Sequence, residues 1–431
     1  MSNLKTYKFS DLYEMSSGIS SKPEQAGSGT HFLSFSTVFK NHFLPENLQD
    51  LMSINEAEMK VYSILEGDIF LTRTSETLDE LGMSSVAVKA YPKASYSGFL
   101  KRLRPIQEGV AYHKYMAFYL RSKLFRKTMT NNAIMTLRAS LNEQIFSYLQ
   151  LILPPYCEQK KIGDFLYQIN LKIELNNRIN TELEAMAKLI YEYWFVQFDF
   201  PFDFAKGKPA DDSSKPQDIK PYKSGGGKMV WNKELKREIP EGWEVKELKD
   251  IAEITMGQSP PGESYNENSE GTVFYQGCTN FGNRFPTIRK FSTMPTRFAN
   301  EGDLLLSVRA PVGAINISKE HCCIGRGLAS LAAKNGQKTF LFGVMQNLKQ
   351  IFDRRNVDGT TFGAITKNDL FTIKVIKPEK SVLDHFHRTT ITSFNKQNKC
   401  ELENIQLSSI RDWLLPMLMN GQINIMKSNI Q

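Results

Sequence analysis

The sequence is poor in cysteine, and its few cysteines do not form the patterns of metal sites or disulfide frameworks. Among 431 residues there are five, namely Cys157, Cys278, Cys322, Cys323 and Cys400, without any C-x-x-C pair. His385 and His387 do not combine with Cys400 in any standard zinc spacing. We therefore expect no metal site, and we expect reduced, buried thiols of the kind found in the cytoplasm.

Membrane and export signals are also missing. No uninterrupted apolar run reaches the length of about 18 residues that marks a membrane-spanning helix. The first ten residues contain neither an apolar core nor a cleavage signature. The sequence thus predicts a cytoplasmic protein without a membrane span.

Signatures of common enzymes are absent as well. The glycine clusters 225–227 and 325–327 lack G-x-G-x-x-G spacing, and Lys228 is followed by Met229 instead of the Ser or Thr of a P-loop. The segment 153–156, LPPY, lacks the leading Asp or Asn with which adenine methyltransferases accept a hydrogen bond from the base. No G-x-S-x-G or H-E-x-x-H motif occurs. The sequence favours a binding protein without catalytic residues or a cofactor of its own.

What the sequence does contain is an internal repeat. Three pairs of segments occur in the same order in both halves: Asp11–Gly18 with Asp250–Gly257, Glu66–Leu71 with Glu301–Leu306, and Leu151–Pro154 with Val375–Pro378. Each copy mixes strand-like apolar runs, such as 69–72 and 303–308, with helix-like segments such as 111–125 and 340–351. The repeat predicts two similar α/β domains.

A long segment of different character follows the first copy. From Glu158 to Phe195 there is no proline, and apolar residues recur at alternating spacings of three and four, which is typical of a coiled coil. The predicted seam is Ile162, Phe165, Ile169, Lys172, Asn176, Ile179, Leu183, Met186, Ile190 and Tyr193. Polar seam residues can fix helix register, or Ile173 can take their place if the seam bends.

A second, weaker helical pattern follows Pro378. Its apolar face comprises Leu383, Phe386, Thr390, Phe394, Asn398, Leu402, Ile405 and Trp413, and Pro416 with Gly421 predicts its end. Two long helices after two similar domains most simply pack antiparallel. About 38 residues at about 1.5 Å each would give a rod of about 57 Å.

We therefore predict a mixed α/β (α+β) fold in which two globular domains are separated by two long antiparallel helices that form a coiled-coil spacer with pseudo-two-fold symmetry. The predicted segments are a first domain at 1–153, a helical spacer at 154–200, an exposed polar linker at 201–240, a second domain at 241–377 and a second helical spacer at 378–425.

The charge balance leaves two interpretations open. Lys and Arg number 54 against 46 Asp and Glu, which gives a formal net charge of +8. This charge is typical either of an ordinary basic surface or of a protein that binds a polyanion such as nucleic acid.

Several segments are similar to one known family. The chain resembles the specificity subunit of type I restriction-modification systems. The resemblance is carried by 187–201 (AKLIYEYWFVQFDFP), 220–245 (KPYKSGGGKMVWNKELKREIPEGWEV) and 411–422 (RDWLLPMLMNGQ), and within the domains by 72–78, 97–100 and 324–328.

The resemblance implies a DNA-binding, non-catalytic subunit. Each α/β domain would be a target recognition domain that reads half of a bipartite site in double-stranded DNA, and the helices would set the gap between the halves. The implied partners are two modification (methyltransferase) subunits, which carry S-adenosylmethionine, and motor-nuclease restriction subunits.

Side-chain chemistry and position predict which residues could read DNA. Arg pairs well with guanine, and Asn or Gln with adenine, while Lys suits phosphate. The candidates are Arg73, Ser75, Glu76, Lys101 and Arg102 in the first domain, and Gln276, Asn280, Lys290, Arg309 and Arg326 in the second. Alternatively, Arg73 and Arg309 are strand-end or ion-pairing residues, and Arg326 serves a turn between two glycines.

Two other functions fit the sequence less well. A self-contained DNA methyltransferase or nuclease would need a cofactor or catalytic signature that the sequence lacks. A coiled-coil scaffold that does not bind DNA would show no steep salt dependence with duplex DNA.

Overall fold

The structure is a computed structural model that describes residues 4–20, 23–75, 80–132, 139–140, 149–357, 364–423 and 425. It divides into two compact units, residues 1–174 with 405–431 and residues 175–404. Each unit contains one copy of the repeat and parts of two long helices. No helix in these described ranges is both long and apolar enough to cross a membrane.

The first unit is built on small sheets. A four-stranded antiparallel sheet has the order Tyr13–Ser17, Leu100–Pro105, Ile69–Thr72, Ser84–Val86. A second sheet has the order Asp50–Met52, Ala26–Leu33, Ser95–Tyr96, and two strand pairs are Lys5–Lys8 with Gln150–Leu153 and Thr74–Ser75 with Ala139–Ser140. The short helices are Phe9–Leu12, Phe35–Lys40, Glu56–Val61, His113–Tyr119 and Lys123–Asn132.

The second unit repeats this arrangement. Its four-stranded antiparallel sheet has the order Ala252–Met256, Leu328–Ala333, Leu304–Ser307, Ile315–Ile317. Its five-stranded sheet has the order Tyr265–Asn266, Lys290–Ser292, Thr272–Tyr275, Cys322–Ile324, Phe298–Ala299, and Glu244–Glu247 pairs with Lys374–Lys377. The helices are Leu248–Ile251, Lys338–Val357 and Lys367–Phe371.

The sequence repeat corresponds to a repeated backbone geometry. In the first unit the Asp68 carboxylate accepts a hydrogen bond of 2.8 Å from the Leu65 amide. In the second, the Asp303 carboxylate accepts one of 2.8 Å from the Asn300 amide. The Glu-Gly-Asp motif is thus a turn in which the Asp side chain fixes the chain before a buried strand, and the predicted internal repeat is confirmed.

The two predicted long helices are present as Tyr156–Tyr191 (the first long helix) and Lys380–Met419 (the second long helix). A π-helical turn, Glu192–Val196, extends the first. The second ends at Met419, between Pro416 and Gly421, which together predicted its end, and its last turn includes Pro416.

Within residues 175–404 the long helices run antiparallel along a polar seam. The Asn176 amide donates to the Asn404 side chain at 3.0 Å, and the Gln397 amide donates to the Asn180 carbonyl at 3.2 Å. Asn176 is fully buried, as its seam position predicts. Phe165, Met186 and Tyr193, also predicted on the seam, are instead exposed. Leu166 and Tyr191 are buried in place of two of them, because the helix does not keep a strict heptad period.

The prediction of an exposed linker at 201–240 is wrong, because this segment is folded. It forms the three-stranded sheet Lys208–Pro209, Pro201–Asp203, Ile219–Pro221 and the hairpin Met229–Asn232 with Arg237–Pro240. The Phe200 ring stacks on Tyr222 at 4.7 Å and on Trp243 at 5.0 Å between centroids. A few aromatic side chains thus provide a core that the polar composition conceals.

Candidate nucleic-acid interface

The second unit contains a cavity of about 520 Å³ that collects the predicted DNA-reading residues. All five second-domain candidates line it. The full lining is Phe274, Gln276, Gly277, Cys278, Thr279, Asn280, Arg289, Lys290, Ser307, Arg309, Ala310, Arg326 and Gly327. Gln276 and Arg326, which are 50 positions apart in the sequence, therefore line one concave surface.

Strand ends place these side chains together. Gln276 follows Thr272–Tyr275 directly, and Lys290 begins the neighbouring strand, where it is the register partner of Phe274. Arg309 lies two residues beyond Leu304–Ser307, and its carbonyl accepts a 2.8 Å hydrogen bond from the Ser307 hydroxyl. The polar residues lie where the strands leave the core.

Two glycines let the loop that carries Arg326 pass against the adjacent strand end. A Cβ atom on Gly325 would lie 2.9 Å from the Gln276 Cα, and one on Gly327 would lie 2.8 Å from the Gln276 carbonyl oxygen. No side chain fits in that space. The glycines on both sides of Arg326 thus have a packing role, and Arg326 itself remains exposed.

The cavity is electropositive. Four cationic residues line it, Arg289, Lys290, Arg309 and Arg326, and the described part of its wall includes no carboxylate. In the described ranges none of these four side chains has an ion-pair partner within 4.0 Å. Unpaired positive charge in a concave surface attracts a polyanion.

Sequence reasoning missed Arg289. The residue is exposed and lines the cavity beside Lys290, immediately before the strand Lys290–Ser292. Its position in a basic pair at the start of a strand was the available signal.

In the first unit, two of the predicted DNA-reading residues are buried. Lys101 and Arg102 are both only 8% exposed, so they are not available to read DNA. The Lys101 ammonium donates to the Ser17 hydroxyl at 2.7 Å, and the Arg102 guanidinium donates to the Ser63 carbonyl at 2.8 Å. Their strand is central in the four-stranded sheet, and both of its faces are covered there, so that consecutive side chains are buried.

The other first-domain candidates have different positions. Arg73 is exposed at the end of the strand Ile69–Thr72. Ser75 lies in a short strand and pairs with Ala139, whereas Glu76 lies outside the described residues. Phe99, which was not selected from the sequence, is 66% exposed, and its carbonyl accepts a 2.9 Å hydrogen bond from the Arg73 amide. Arg73 and Phe99 are therefore neighbouring exposed side chains.

No group of three or more His, Cys, Asp or Glu residues in the described ranges is arranged to hold a metal ion.

The cavity lining offers hydrogen-bond donors, side-chain amides and positive charge. These groups suit recognition of base edges and phosphates.

Comparison with known proteins gives a consistent result. The family model described as "Type I restriction modification DNA specificity domain" matches residues 4–185 and 240–407, once in each copy of the repeat. The MjaX specificity subunit of a type I restriction enzyme from Methanocaldococcus jannaschii is 31% identical over 334 residues, which is 75% of this chain and 71% of that protein. The HindI specificity subunit from Haemophilus influenzae is 24% identical over 322 residues, covering 64% of this chain and 70% of that protein.

A solved structure shows the same fold. The S subunit of a type I restriction-modification system from M. genitalium aligns with a TM-score of 0.60 at 14% identity, covering 97% of this chain and 96% of that one.

Proposed function

The chain belongs to the type I restriction-modification DNA specificity family, and from this premise we propose that each of its two repeats reads one half of a bipartite DNA site. It is a specificity subunit, which recognises DNA sequence, and not a catalytic subunit. The family matches cover both repeats, so that both domains are assigned the same role.

The observation that carries this proposal is the cavity of the second unit. It combines Arg309 and Arg326 with Gln276 and Asn280, which are the side chains that discriminate guanine and adenine in the major groove. Lys290 and Arg289 add positive charge for phosphate contacts, which orient a protein on the duplex.

In the first unit we assign the corresponding role to Arg73 and Phe99. Arg73 would read a base or bind a phosphate, and the exposed Phe99 ring would contact a thymine methyl group. Ser75 and Glu76 remain candidates from the sequence.

The long helices would set the number of unspecified base pairs between the half-sites. Each long helix contributes residues to both units, so that its length is shared between them. The seam bond between Asn176 and Asn404 fixes the register of the two helices in the second unit.

The helices would also bind two modification subunits. Met186 and Leu189 are 46% and 65% exposed on the first long helix, which is costly for apolar side chains unless a partner covers them. In this proposal the partners bind S-adenosylmethionine and methylate adenine, motor-nuclease subunits complete the complex, and the chain is cytoplasmic.

Mapping methylated adenines in the genome of the host organism tests the proposal, because it gives both half-sites and the gap in one measurement. We expect a bipartite motif that disappears when this gene is deleted and returns with the intact gene. The proposal would be contradicted if deletion of the gene removed no methylated motif, or if the motif that it removed had no two separated halves.

A further inference from the structure

Arg284 lies in the loop that joins two parts of the cavity wall, yet its side chain contacts the helices instead of the cavity. It is 8% exposed, and its Nε donates to the side-chain oxygen of Asn398 on the second long helix. The guanidinium carbon lies 4.4 Å from the centroid of the Phe394 ring and 5.3 Å from that of Phe342. The loop is therefore attached to the helical layer by one buried cation.

The loop itself is held in a defined conformation. The Asn280 carbonyl, on the cavity side, accepts a 2.7 Å hydrogen bond from the Thr287 amide. The Asn316 side chain accepts from the Gly282 amide at 3.2 Å and donates to the Gly282 carbonyl at 3.0 Å. The Arg284 carbonyl accepts from the Ile317 amide at 2.8 Å. A rigid loop transmits a displacement at Arg284 to the cavity wall.

Burial of the Arg284 guanidinium has a desolvation cost that packing alone does not explain. One terminal nitrogen of Arg284 and one carboxylate oxygen of Glu401 are buried without a hydrogen-bond partner among the described residues. Both residues line a polar cavity of about 260 Å³ beside the helices. Burial lowers the pKa of Arg284 to about 10. Because an apolar side chain would avoid this desolvation cost, the arginine is better explained by the direction of its bond to Asn398.

We propose that Arg284 is a positioning residue, which sets the orientation of the cavity wall relative to the second long helix and thereby the accuracy with which the second half-site is read. The wall residues concerned are Asn280, Arg289 and Lys290, which lie on both sides of Arg284 in the chain. This inference rests on the proposed function of the cavity.

The test is a double-mutant cycle on the full chain with Arg284→Met, Asn398→Ala and both together. Met keeps an unbranched side chain against Phe342 and Phe394 but cannot donate a hydrogen bond. Arg237→Met is the matched control, since Arg237 also lies over an aromatic ring, Phe198, at 4.6 Å but does not line the cavity. Affinity is measured on the cognate duplex and on duplexes substituted in either half-site.

We expect each single variant to lower discrimination at the second half-site by roughly tenfold, with first-half-site discrimination unchanged. The double variant should add little beyond Arg284→Met, because both changes remove the same bond. Arg237→Met should retain full discrimination.

Equal weakening on all duplexes, or a loss confined to thermal stability, would overturn the positioning role. Unchanged discrimination in Asn398→Ala would also overturn it. This variant keeps Arg284, so it tests the role even if Arg284→Met fails to fold. Arg309→Ala, assayed in parallel, separates the two hypotheses. If it relaxes the second half-site while the Arg284 variant does not, only the positioning role fails, and if neither does, the cavity is not the reading surface.

Discussion

Gly257 packs so tightly against the backbone of Gly325 that a Cβ atom at position 257 would lie 2.2 Å from the Gly325 carbonyl oxygen. The first unit contains the same contact, since a Cβ atom on Gly18 would lie 2.2 Å from the Ser97 carbonyl oxygen. The repeated glycine is therefore a repeated close approach of two backbone segments, and it lies at the base of the loop that carries Arg326.

Replacing Gly257 by Ala should destabilise the second unit by about 2–3 kcal/mol, because backbone atoms must move to admit a methyl group. The loss would be measured by chemical denaturation, with hydrogen exchange of residues 252–333 used to monitor unfolding of the second unit. The matched control is Gly262→Ala, where a Cβ atom would meet no heavy atom within 4 Å. Equal stability of the two variants would contradict the close-approach argument.

Arg309→Ala should weaken cognate binding by about 1–3 kcal/mol and relax one position of the second half-site. Arg309 lines the cavity without an ion-pair partner in the described residues, so the substitution should remove the proposed DNA contact without breaking an ion pair among those residues. Competition binding with single-base variants provides the measurement. Lys319→Ala, an exposed cation outside the cavity lining, is the control, and equal loss on every sequence would count against base reading.

Lys290→Gln should reduce the salt dependence of binding. Loss of one phosphate contact should lower the slope of log affinity against log salt concentration by about 1, while base preference stays the same. A salt titration on cognate and random duplexes tests this expectation. A changed preference with an unchanged slope would assign Lys290 to a base instead.

Arg102→Met should cost folding stability and leave the recognised sequence intact. The change removes the Arg102 donor from the carbonyls of Val61 and Ser63, of which Ser63 keeps its 3.0 Å bond from Arg104, and we expect a loss of about 1–3 kcal/mol. Denaturant unfolding and methylation mapping should be done on the same variant. Arg73→Ala is the contrast, because this exposed residue should alter binding and not stability.

Paired insertions in the long helices should change the gap between half-sites without changing their letters. Seven residues added beside Asn176 and seven beside Asn404 keep the antiparallel register and lengthen each helix by about 10 Å, equivalent to about three base pairs. Methylation mapping of the variant would show the new gap. Altered letters in either half-site would refute the spacer role.

The long helices and the repeat could be predicted from the sequence because both depend on local patterns. Spacings of three and four place residues on one helical face, and the Glu-Gly-Asp turn is determined by a side chain three residues from the amide that it binds. Most cavity-lining candidates of the second unit could also be predicted from the sequence, since polar side chains after apolar strands lie at sheet edges.

Lys101 and Arg102 were misjudged because burial is not a local property. Three of the six residues in Leu100–Pro105 are cationic, which suggests an exposed strand, and only the neighbouring strands and the carbonyls of Val61 and Ser63 show that Lys101 and Arg102 are covered. The folded segment 201–240 was misjudged for the same reason, since Phe200 finds Tyr222 and Trp243 only in three dimensions.

By itself the sequence determined the duplication, the two helices and the chemical types that could read DNA, because these follow from order and spacing along the chain. The tertiary structure alone decided which cations face a cavity and which are buried as internal donors, and that Arg284 contacts a helix 114 residues away. Such choices depend on which strands become neighbours, and that is set by packing of the whole unit.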